Sequence, residues 1–557
     1  MKNYILALFI ISSFVATAQT VPVGSPVIEN YLRRQQLLGK VDSSFSFNYR
    51  PITVGKNGLN LSLEDYGLDG FYGQKKNFLK TKGHVRLLSP EVRIQYDNRH
   101  PDSRNDGAMI RSKGLQSLLT AGFYAEYGPL SIQFKPEYVV AENLRFPGFS
   151  ADQYDNVWAS RYVFWNHIDS PERFGTATYS KFNWGQSSIR LNKWGLSLGL
   201  STENLWWGPA IRNSIMMSNN AEGFPHLTLN TQRPIKTAIG SFEGQFLTGR
   251  LEASGFTPPD TTRKARQATL YVPKTDDWRY YQAITMSYSP KWVKGLSLGV
   301  TRWVQQYAEN AKESKSYFPI FQNLFRQNDI DQFGFNLRQD QAAGVFGRWL
   351  WFDSKAEVYF EFAKNDAPIN LRDLLTDTDH SRAFTFGINK LFELPKPNRY
   401  IQFNAEWTQT SQTESRLIRN SLSWYIHSSV RHGYTNNGEV LGSALGPSGN
   451  AFYLEVSWVN GLNRIGGAVE RYVHNNDFMH LAYANTLDFT RYWIDYNLHA
   501  FADWKFEKFL LSGSIYYTRS LNYEWGLQPD PNGNPFLFFP DDKVNNLNLD
   551  IKLAYLF

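Results

Sequence analysis

From about residue 90 to its C-terminus the chain alternates apolar and polar residues with period two, segment after segment. The pattern is cleanest at the end. Leu547, Leu549, Ile551, Leu553, Tyr555 and Phe557 alternate with Asn548, Asp550, Lys552, Ala554 and Leu556. Period two puts the two sets on opposite faces of a β-strand. Similar segments near 90–97, 115–126, 129–140, 186–192, 196–204, 236–247, 249–257, 278–289 and 295–305 fill the first part of the chain. Those near 339–351, 355–364, 381–392, 399–410, 450–459, 463–473, 489–503, 508–522 and 544–557 complete about eighteen predicted strands. The predicted fold is all-β: a transmembrane antiparallel β-barrel, in which lipid-facing and lumen-facing residues alternate.

The connections test this reading. Bacterial barrels join their strands by short turns on the periplasmic side and longer loops outside. Tight connections fall at Tyr127-Gly128, Asn192 to Gly195, Thr248-Gly249, Pro290 to Gly295, Phe352 to Ser354, Glu393 to Asn398, Asn460 to Asn463 and Trp504 to Lys508. Each follows an even-numbered predicted strand, so the longer connections, after odd-numbered strands, belong outside. Ser415 to His432 would break this parity if it were a strand. Ile418, Leu422, Tyr425, Ile426 and Ser429 fit helical spacing as well, so a short helix is expected there, inside one external loop from 411 to 450.

The N-terminus has a different character. Lys2, the apolar run Tyr4 to Val15 and Ala16-Thr17-Ala18 form a secretory signal peptide, residues 1–18, cleaved before Gln19. That apolar run is too short to span a bilayer as a helix, which takes about 20 residues. Residues 19–89 are expected to form a periplasmic N-terminal segment, with the barrel occupying 90–557. Within the segment, Pro26 to Lys40 is a short helix, with Ser25 placed to cap it and Gly39 to end it.

Composition sharpens the picture. Mean hydropathy is −0.43, which excludes a helical membrane protein but not a barrel. The chain holds 17 Trp, 31 Tyr and 40 Phe, and barrels use such aromatics as girdles at both interfaces. It has no Cys; an exported barrel needs none, because closure pairs every strand edge. Removing Lys2 with the signal peptide lowers the formal net charge from +7 to +6. The charges are dispersed, without the Lys/Arg cluster of a nucleic-acid-binding protein. A basic surface suits acidic polysaccharide or lipopolysaccharide.

Three motifs fall in predicted external loops. The first is Asn105-Asp106-Gly107. The second is Glu203-Asn204-Leu205-Trp206-Trp207-Gly208-Pro209, followed by Ser218-Asn219-Asn220-Ala221. The third is Gly433-Tyr434-Thr435-Asn436-Asn437-Gly438-Glu439, followed by Leu441-Gly442-Ser443. With the signal peptide and the barrel pattern, these segments resemble the Wzi family of outer-membrane capsule-assembly proteins. Trp206 to Gly223 (WWGPAIRNSIMMSNNAEG) carries most of the resemblance, and Tyr434 to Pro447 (YTNNGEVLGSALGP) supports it. The resemblance implies an eighteen-stranded barrel with a periplasmic helical portion. It also implies a lectin that helps hold capsular polysaccharide at the cell surface. The expected partners are capsular or extracellular polysaccharide, outer-membrane lipid or lipopolysaccharide, and the barrel-insertion machinery that reads a terminal Phe.

Sugar rings have apolar C–H faces and hydroxyl edges, which aromatic rings and Asn, Asp or Glu side chains meet respectively. On that chemistry the candidate glycan-binding residues are Trp206, Trp207, Asn204, Asn219, Asn220, Asn105, Asp106, Tyr434, Asn436, Asn437 and Glu439. The plain alternative is that the tryptophans pack loops and the asparagines cap turns, while Gly208-Pro209 and Gly438 only shape them. No catalytic residue, metal site or cofactor is expected. His427, His432 and Glu439 lack metalloprotease spacing, and no nucleophile elbow or phosphate loop occurs. His474, Asp477 and His480 read as solvated loop polars. The competing function is a porin. Its discriminator is the lumen, which the long loops 141–185, 205–235, 306–338 and 411–450 have the length to close.

Overall fold

The computed structural model describes residues 19–54, 68–79, 82–151, 153–313, 317–322, 338–365, 370–413, 421–483, 491–529, 538–540 and 544–557. The expected signal peptide, residues 1–18, lies outside the described residues. Eighteen antiparallel strands follow one another around a closed barrel. They are β1 (Gly83–Asp97), β2 (Gly114–Tyr127), β3 (Leu130–Phe134 and Glu137–Ala141), β4 (Tyr179–Asn183 and Ser188–Lys193), β5 (Leu196–Ser201) and β6 (His226–Thr231 and Ile235–Lys236). β7 (Gly240–Leu251), β8 (Arg279–Pro290), β9 (Leu296–Tyr307), β10 (Gln339–Trp351), β11 (Ala356–Asn365) and β12 (Arg382–Glu393) continue the series. β13 (Arg399–Gln409), β14 (Asn450–Asn460), β15 (Asn463–Val473), β16 (Ile494–Phe506), β17 (Phe509–Leu521) and β18 (Val544–Tyr555) complete it. β18 pairs back onto β1, with Asn548 opposite Asp97 and Ala554 opposite Glu91.

Alternation along the strands sets the two surfaces. On β18, Ile551 and Leu553 face outward and are exposed, whereas Asn546 and Asn548 are buried in the lumen. The outward band is apolar and edged by aromatics. Trp194, Trp292, Trp351 and Phe506 stand exposed at the short-turn end, and Tyr138, Trp407, Phe452 and Tyr496 at the other. No described helix is long and apolar enough to cross a membrane; the strands do the crossing.

Seven of the eight tight turns lie where the sequence places them. The eighth does not: it connects β6 to β7 at 237–239, with the Thr237 amide donating to the Gly240 carbonyl (2.7 Å). The segment 226–236, read as loop, is a strand, and the strands expected at 236–247 and 249–257 are one strand, β7. The two errors cancel in the count. Gly249 caused the misreading. It marks no turn; a Cβ there would lie 2.9 Å from the Pro225 carbonyl oxygen, so glycine admits the close approach of the 202–225 loop. The barrel also begins at Gly83 rather than near 90.

Chain packs into the lumen from both ends, leaving inside it a cavity of about 320 Å³ whose lining includes Glu29, Arg33, Asn105, Trp206 and Asn219. Residues 19–54, assigned from sequence to a periplasmic segment, pack into the short-turn mouth. Helix α1 (Pro26–Leu37) starts on Pro26 without a side-chain cap from Ser25, and Gly39 ends it at φ +72°. Its buried polar groups find partners on the wall and in the chain packed around it, Arg33 on the Pro209 carbonyl and Gln36 on the Phe45 carbonyl, both at 2.7 Å. Arg33 Nε donates to Glu357 (2.7 Å), Arg348 donates to Gln36 Oε1 (2.6 Å), and Arg34 donates to the Gly461 carbonyl in a short turn (2.9 Å). From the outer end, the loop 202–225 descends until Trp206 and Trp207 pair with Arg50 and Tyr49. Two wall carboxylates fix its lowest turn. Glu406 accepts from the amides of Ile211, Arg212 and Asn213 at 2.9, 3.1 and 2.6 Å. Glu361 accepts from the amides of Ala210 (3.0 Å) and Ile215 (2.9 Å). Arg212 then makes a two-pronged pair with Glu470 (2.8 and 2.9 Å).

The loops 142–178 and 410–449 also turn inward and share one buried cluster with Trp207. The expected helix at 415–432 is absent where it is described: residues 421–432 run as turns, and 414–420 lie outside the described residues. The loop 306–338 departs from expectation too. Its described part lies over the outer wall, where outward-facing Arg302 donates to the carbonyls of Ile320 (3.0 Å) and Gln322 (2.7 Å).

Removing a wall carboxylate should therefore loosen the plug without opening the barrel. Glu406→Ala orphans three amides, that of Asn213 buried and those of Ile211 and Arg212 partly so; a buried amide left unsatisfied costs roughly 1–3 kcal/mol. The expected outcome is a heat-modifiable barrel whose 202–225 segment becomes protease-sensitive and which shows bilayer currents absent from the wild type. Unchanged proteolysis and silent bilayers would show that the carboxylate does not hold the plug.

Candidate functional site

The eleven residues singled out from sequence come together, but mostly as parts of the plug. Trp207 is fully buried and donates from Nε1 to Gln245 (2.8 Å). Trp206 donates to the Ala210 carbonyl (3.2 Å), and the Arg50 guanidinium lies 5.0 Å from its ring centre. Asn204 donates to Asn219 Oδ1 (2.8 Å), and Asn219 donates to the Asn105 carbonyl (2.9 Å). Asn105 donates to the Arg212 carbonyl (2.9 Å), and Asp106 accepts from Arg93 (2.6 Å). Asn220 donates to the Val440 carbonyl (3.0 Å).

Tyr434 stacks on Trp303 at 4.0 Å and donates to the Met216 carbonyl (2.7 Å). Asn436 accepts from the Glu252 amide (3.1 Å), and Asn437, at φ +48° beside Gly438, turns the hairpin and donates to Glu222. The loop asparagines are thus largely engaged with protein groups. Of the eleven, Asn220 and Glu439 line an external pocket.

That pocket, about 160 Å³, is built wholly from external loops and the adjoining end of β15. Its partly exposed aromatics are Phe146, Trp493 and Tyr523. Trp493 is set by stacking on His474 at 3.7 Å and by edge contacts with Tyr523 (5.1 Å) and Trp525 (5.2 Å). His474 is held in turn by Asp495 (2.8 Å). The expectation of solvated His474 and Asp477 therefore fails: both are buried, and Asp477 accepts from Ser423 (2.7 Å) and the Gln412 amide (3.0 Å). Around the aromatics stand charged groups. Arg111 pairs with Glu439 (3.0 Å), and Arg161 with Glu524 (3.3 Å). Two helices close the rim, α2 (Asp155–Trp165) and α3 (Asn476–Tyr483), with Phe149, Trp158 and Phe478 packed between them. This is the pairing of ring faces and charged edges that saccharides need. No cluster of three metal-ligating residues occurs among the described residues.

Burial and the neighbouring negative charge of Glu524 push the Glu172 carboxyl in this pocket up to about 7. Burial also raises those of Asp102 and Glu439. Sequence reasoning passed over Trp493, Tyr523, Arg111 and Glu172, which lie on four separate loops. The one signal it had was the aromatic excess near the last two external loops.

The family model of the capsule assembly protein Wzi matches residues 99–514. Among solved structures, Wzi of Escherichia coli superposes with a TM-score of 0.59 at 13% identity, covering 97% of this chain and 100% of that one. It is described as an outer membrane protein involved in group 1 capsule assembly and a carbohydrate-binding β-barrel. OccAB1 of Acinetobacter baumannii aligns with a TM-score of 0.40 at 7% identity, over 87% of this chain and 99% of that one. OpdQ of Pseudomonas aeruginosa aligns with a TM-score of 0.40 at 10% identity, over 86% and 99%. No curated protein sequence matches the chain.

The raised Glu172 carboxyl carries a pH signature. A carboxyl whose folded value lies above the usual 4.5 favours folding fully below 4.5, and that contribution is lost as pH rises through about 7. Glu172→Gln should raise the midpoint of heat unfolding at pH 8 and leave it nearly unchanged at pH 5. An equal shift at both pH values would refute the assignment.

Proposed function

The chain belongs to the Wzi family of capsule assembly proteins, and from that premise we propose that it is a non-enzymatic lectin that holds capsular or extracellular polysaccharide at the outer face of the outer membrane. The observation that carries this reading is the external pocket. Phe146, Trp493 and Tyr523 offer ring surface there beside Glu172, Glu439, Arg111 and Arg161. Its walls come from loops pinned to a filled barrel, so the groups are ordered before a sugar arrives. Each contact with a single sugar is weak. A repeating polymer engages many barrels in one membrane, and multivalency turns weak contacts into retention.

The likeness of the E. coli structure to this one, with its carbohydrate-binding description, supports the class of ligand. In this reading the Trp206-Trp207 pair serves the plug, and the sugar meets the outer loops.

Removing an aromatic partner for a sugar should lose about 0.5–1.5 kcal/mol, or several-fold in affinity per contact. Phe146→Ala/Tyr523→Ala, neither of them buried, should assemble normally and release surface polymer several-fold more readily. Trp206→Ala/Trp207→Ala should instead impair plug integrity. Full capsule retention by an assembled Phe146/Tyr523 variant would sink the proposal for this pocket. Polymer loss from an assembled, still-plugged Trp206/Trp207 variant would move the site to that loop.

A further inference from the structure

The outer wall of the barrel between β14 and β18 has a feature that capsule binding does not use. Strand register sets its outward side chains in rows that run across the strands, inclined to the membrane by the strand tilt. The uppermost row, near the external ends of the strands, runs Phe452, Arg471, Tyr496, Arg519, Asn545 across five adjacent strands. The next runs Leu454, Val469, Leu498, Tyr517, Leu547, and the third Val456, Gly467, Ala500, Ile515, Leu549. In the third row the side chains shrink to a hydrogen at Gly467 and a methyl at Ala500. The wall is dented there into an apolar furrow of about 630 Å³, flanked by Phe403, Val456, Val469, Leu498 and Ile515. The floor lies four residues, about 14 Å along the strands, below the arginine row.

Arg471 and Arg519 are unlike the other basic residues facing outward at this end. Arg250 pairs with Glu252, Arg302 with Gln341 and loop carbonyls, Lys364 with the Asp377 carbonyl, and Arg382 with Asp379. Arg471 and Arg519 are exposed and have no ion-pair or hydrogen-bond partner among the described residues. They stand two strands apart, about 10 Å, on either side of Tyr496. A lone arginine at the interface snorkels to water. Two of them flanking an aromatic ring, at headgroup height and directly above a furrow deep in the apolar band, make a composite surface. Guanidinium groups match phosphate oxygens in pairs, and the furrow matches an acyl chain.

We propose that this wall binds a phosphorylated, multiply acylated glycolipid of the outer leaflet. Its phosphates lie on Arg471 and Arg519, its sugar sits against Tyr496, and one acyl chain lies in the furrow over Gly467 and Ala500. The charge at the rim selects this occupant over a second copy of the chain, whose own furrow would bring the same arginines face to face.

Native mass spectrometry of the purified, heat-modifiable barrel tests this, with a bisphosphorylated, hexa-acylated glucosamine disaccharide lipid and its dephosphorylated form as probes. The wild type should retain the phosphorylated lipid and lose the other. Arg471→Gln/Arg519→Gln should weaken retention about thirtyfold, taking each interfacial cation at its usual worth near a membrane surface. Arg471→Lys/Arg519→Lys keeps the charge but loses the two-pronged fit, and should fall between the wild type and the Gln variant. Gly467→Leu fills the furrow and touches neither arginine; its Cβ meets only the His499 carbonyl oxygen, at an ordinary 3.4 Å. It should shorten retention of the phosphorylated lipid as well. Equal retention of the two lipids by the wild type would overturn the proposal. So would an assembled double Gln variant that binds like the wild type, or a dimer mass abolished by Gly467→Leu, which would give the furrow to a second copy.

Discussion

Two carboxylates on the inner wall, Glu361 and Glu406, catch five backbone amides of one descending turn, residues 210–215. Much of what lies inside the barrel depends on that capture. The lumen of an eighteen-strand barrel is polar, since its apolar faces are committed to lipid. A segment entering it cannot be held by hydrophobic burial alone. It must satisfy its own amides and those of the wall, and a carboxylate that accepts several amides does both with strong, charge-assisted bonds. Arg33 with Glu357 and Arg212 with Glu470 extend the same principle to the helix below and the loop above.

The consequence is that a sequence motif of ligand-binding appearance has a structural use. Paired tryptophans beside clustered asparagines are what a sugar site would show. They are also what a buried polar plug requires. The rings fill volume while their indole N–H groups bond to Gln245 and to the Ala210 carbonyl. Side-chain amides such as Asn204 and Asn219 bond in series to neighbouring loops. Spacing alone cannot separate the two uses, because both call for the same groups. What separates them is which side the rings face, and that is fixed by pairing with residues 49–50, some 150 positions earlier in the chain.

The fold was far more legible than the site. Period two along Leu547 to Phe557, and the short turns at 128, 194 and 461, follow from local geometry that any strand or hairpin must obey. Where reading failed, a distant contact had overruled a local signal. Gly249 looks like a turn residue and is a point of close approach; Gln232 and Pro234 look like loop and lie at a break within β6. The sequence also located α1 but not its burial, since a helix carrying Arg33, Arg34 and Gln36 reads as solvated until the wall that neutralises it is known. The external pocket was the least legible part. Phe146, Glu172, Trp493 and Tyr523 come from loops separated by tens to hundreds of residues, and each is unremarkable in its own neighbourhood; the motifs pointed only to Asn220 and Glu439 among the residues that line it.

Plug and pocket are nevertheless one construction. The hairpin that carries Glu439 into the pocket is bonded to the descending loop through Asn220 and the Val440 carbonyl, and through the Ser218 amide and the Leu441 carbonyl (2.8 Å). That loop is in turn fixed to Glu361 and Glu406 on the wall. The external surface thus inherits the rigidity of the barrel through an unbroken chain of hydrogen bonds, although it is made of loops, which in isolation would be its most mobile parts. A weak polysaccharide contact gains most from this arrangement, because ordering the site on binding would consume much of the little free energy each sugar supplies. In the proposed role, the chain packed inside the barrel supports the loops that would hold a polymer, a support that a barrel open for transport would lack.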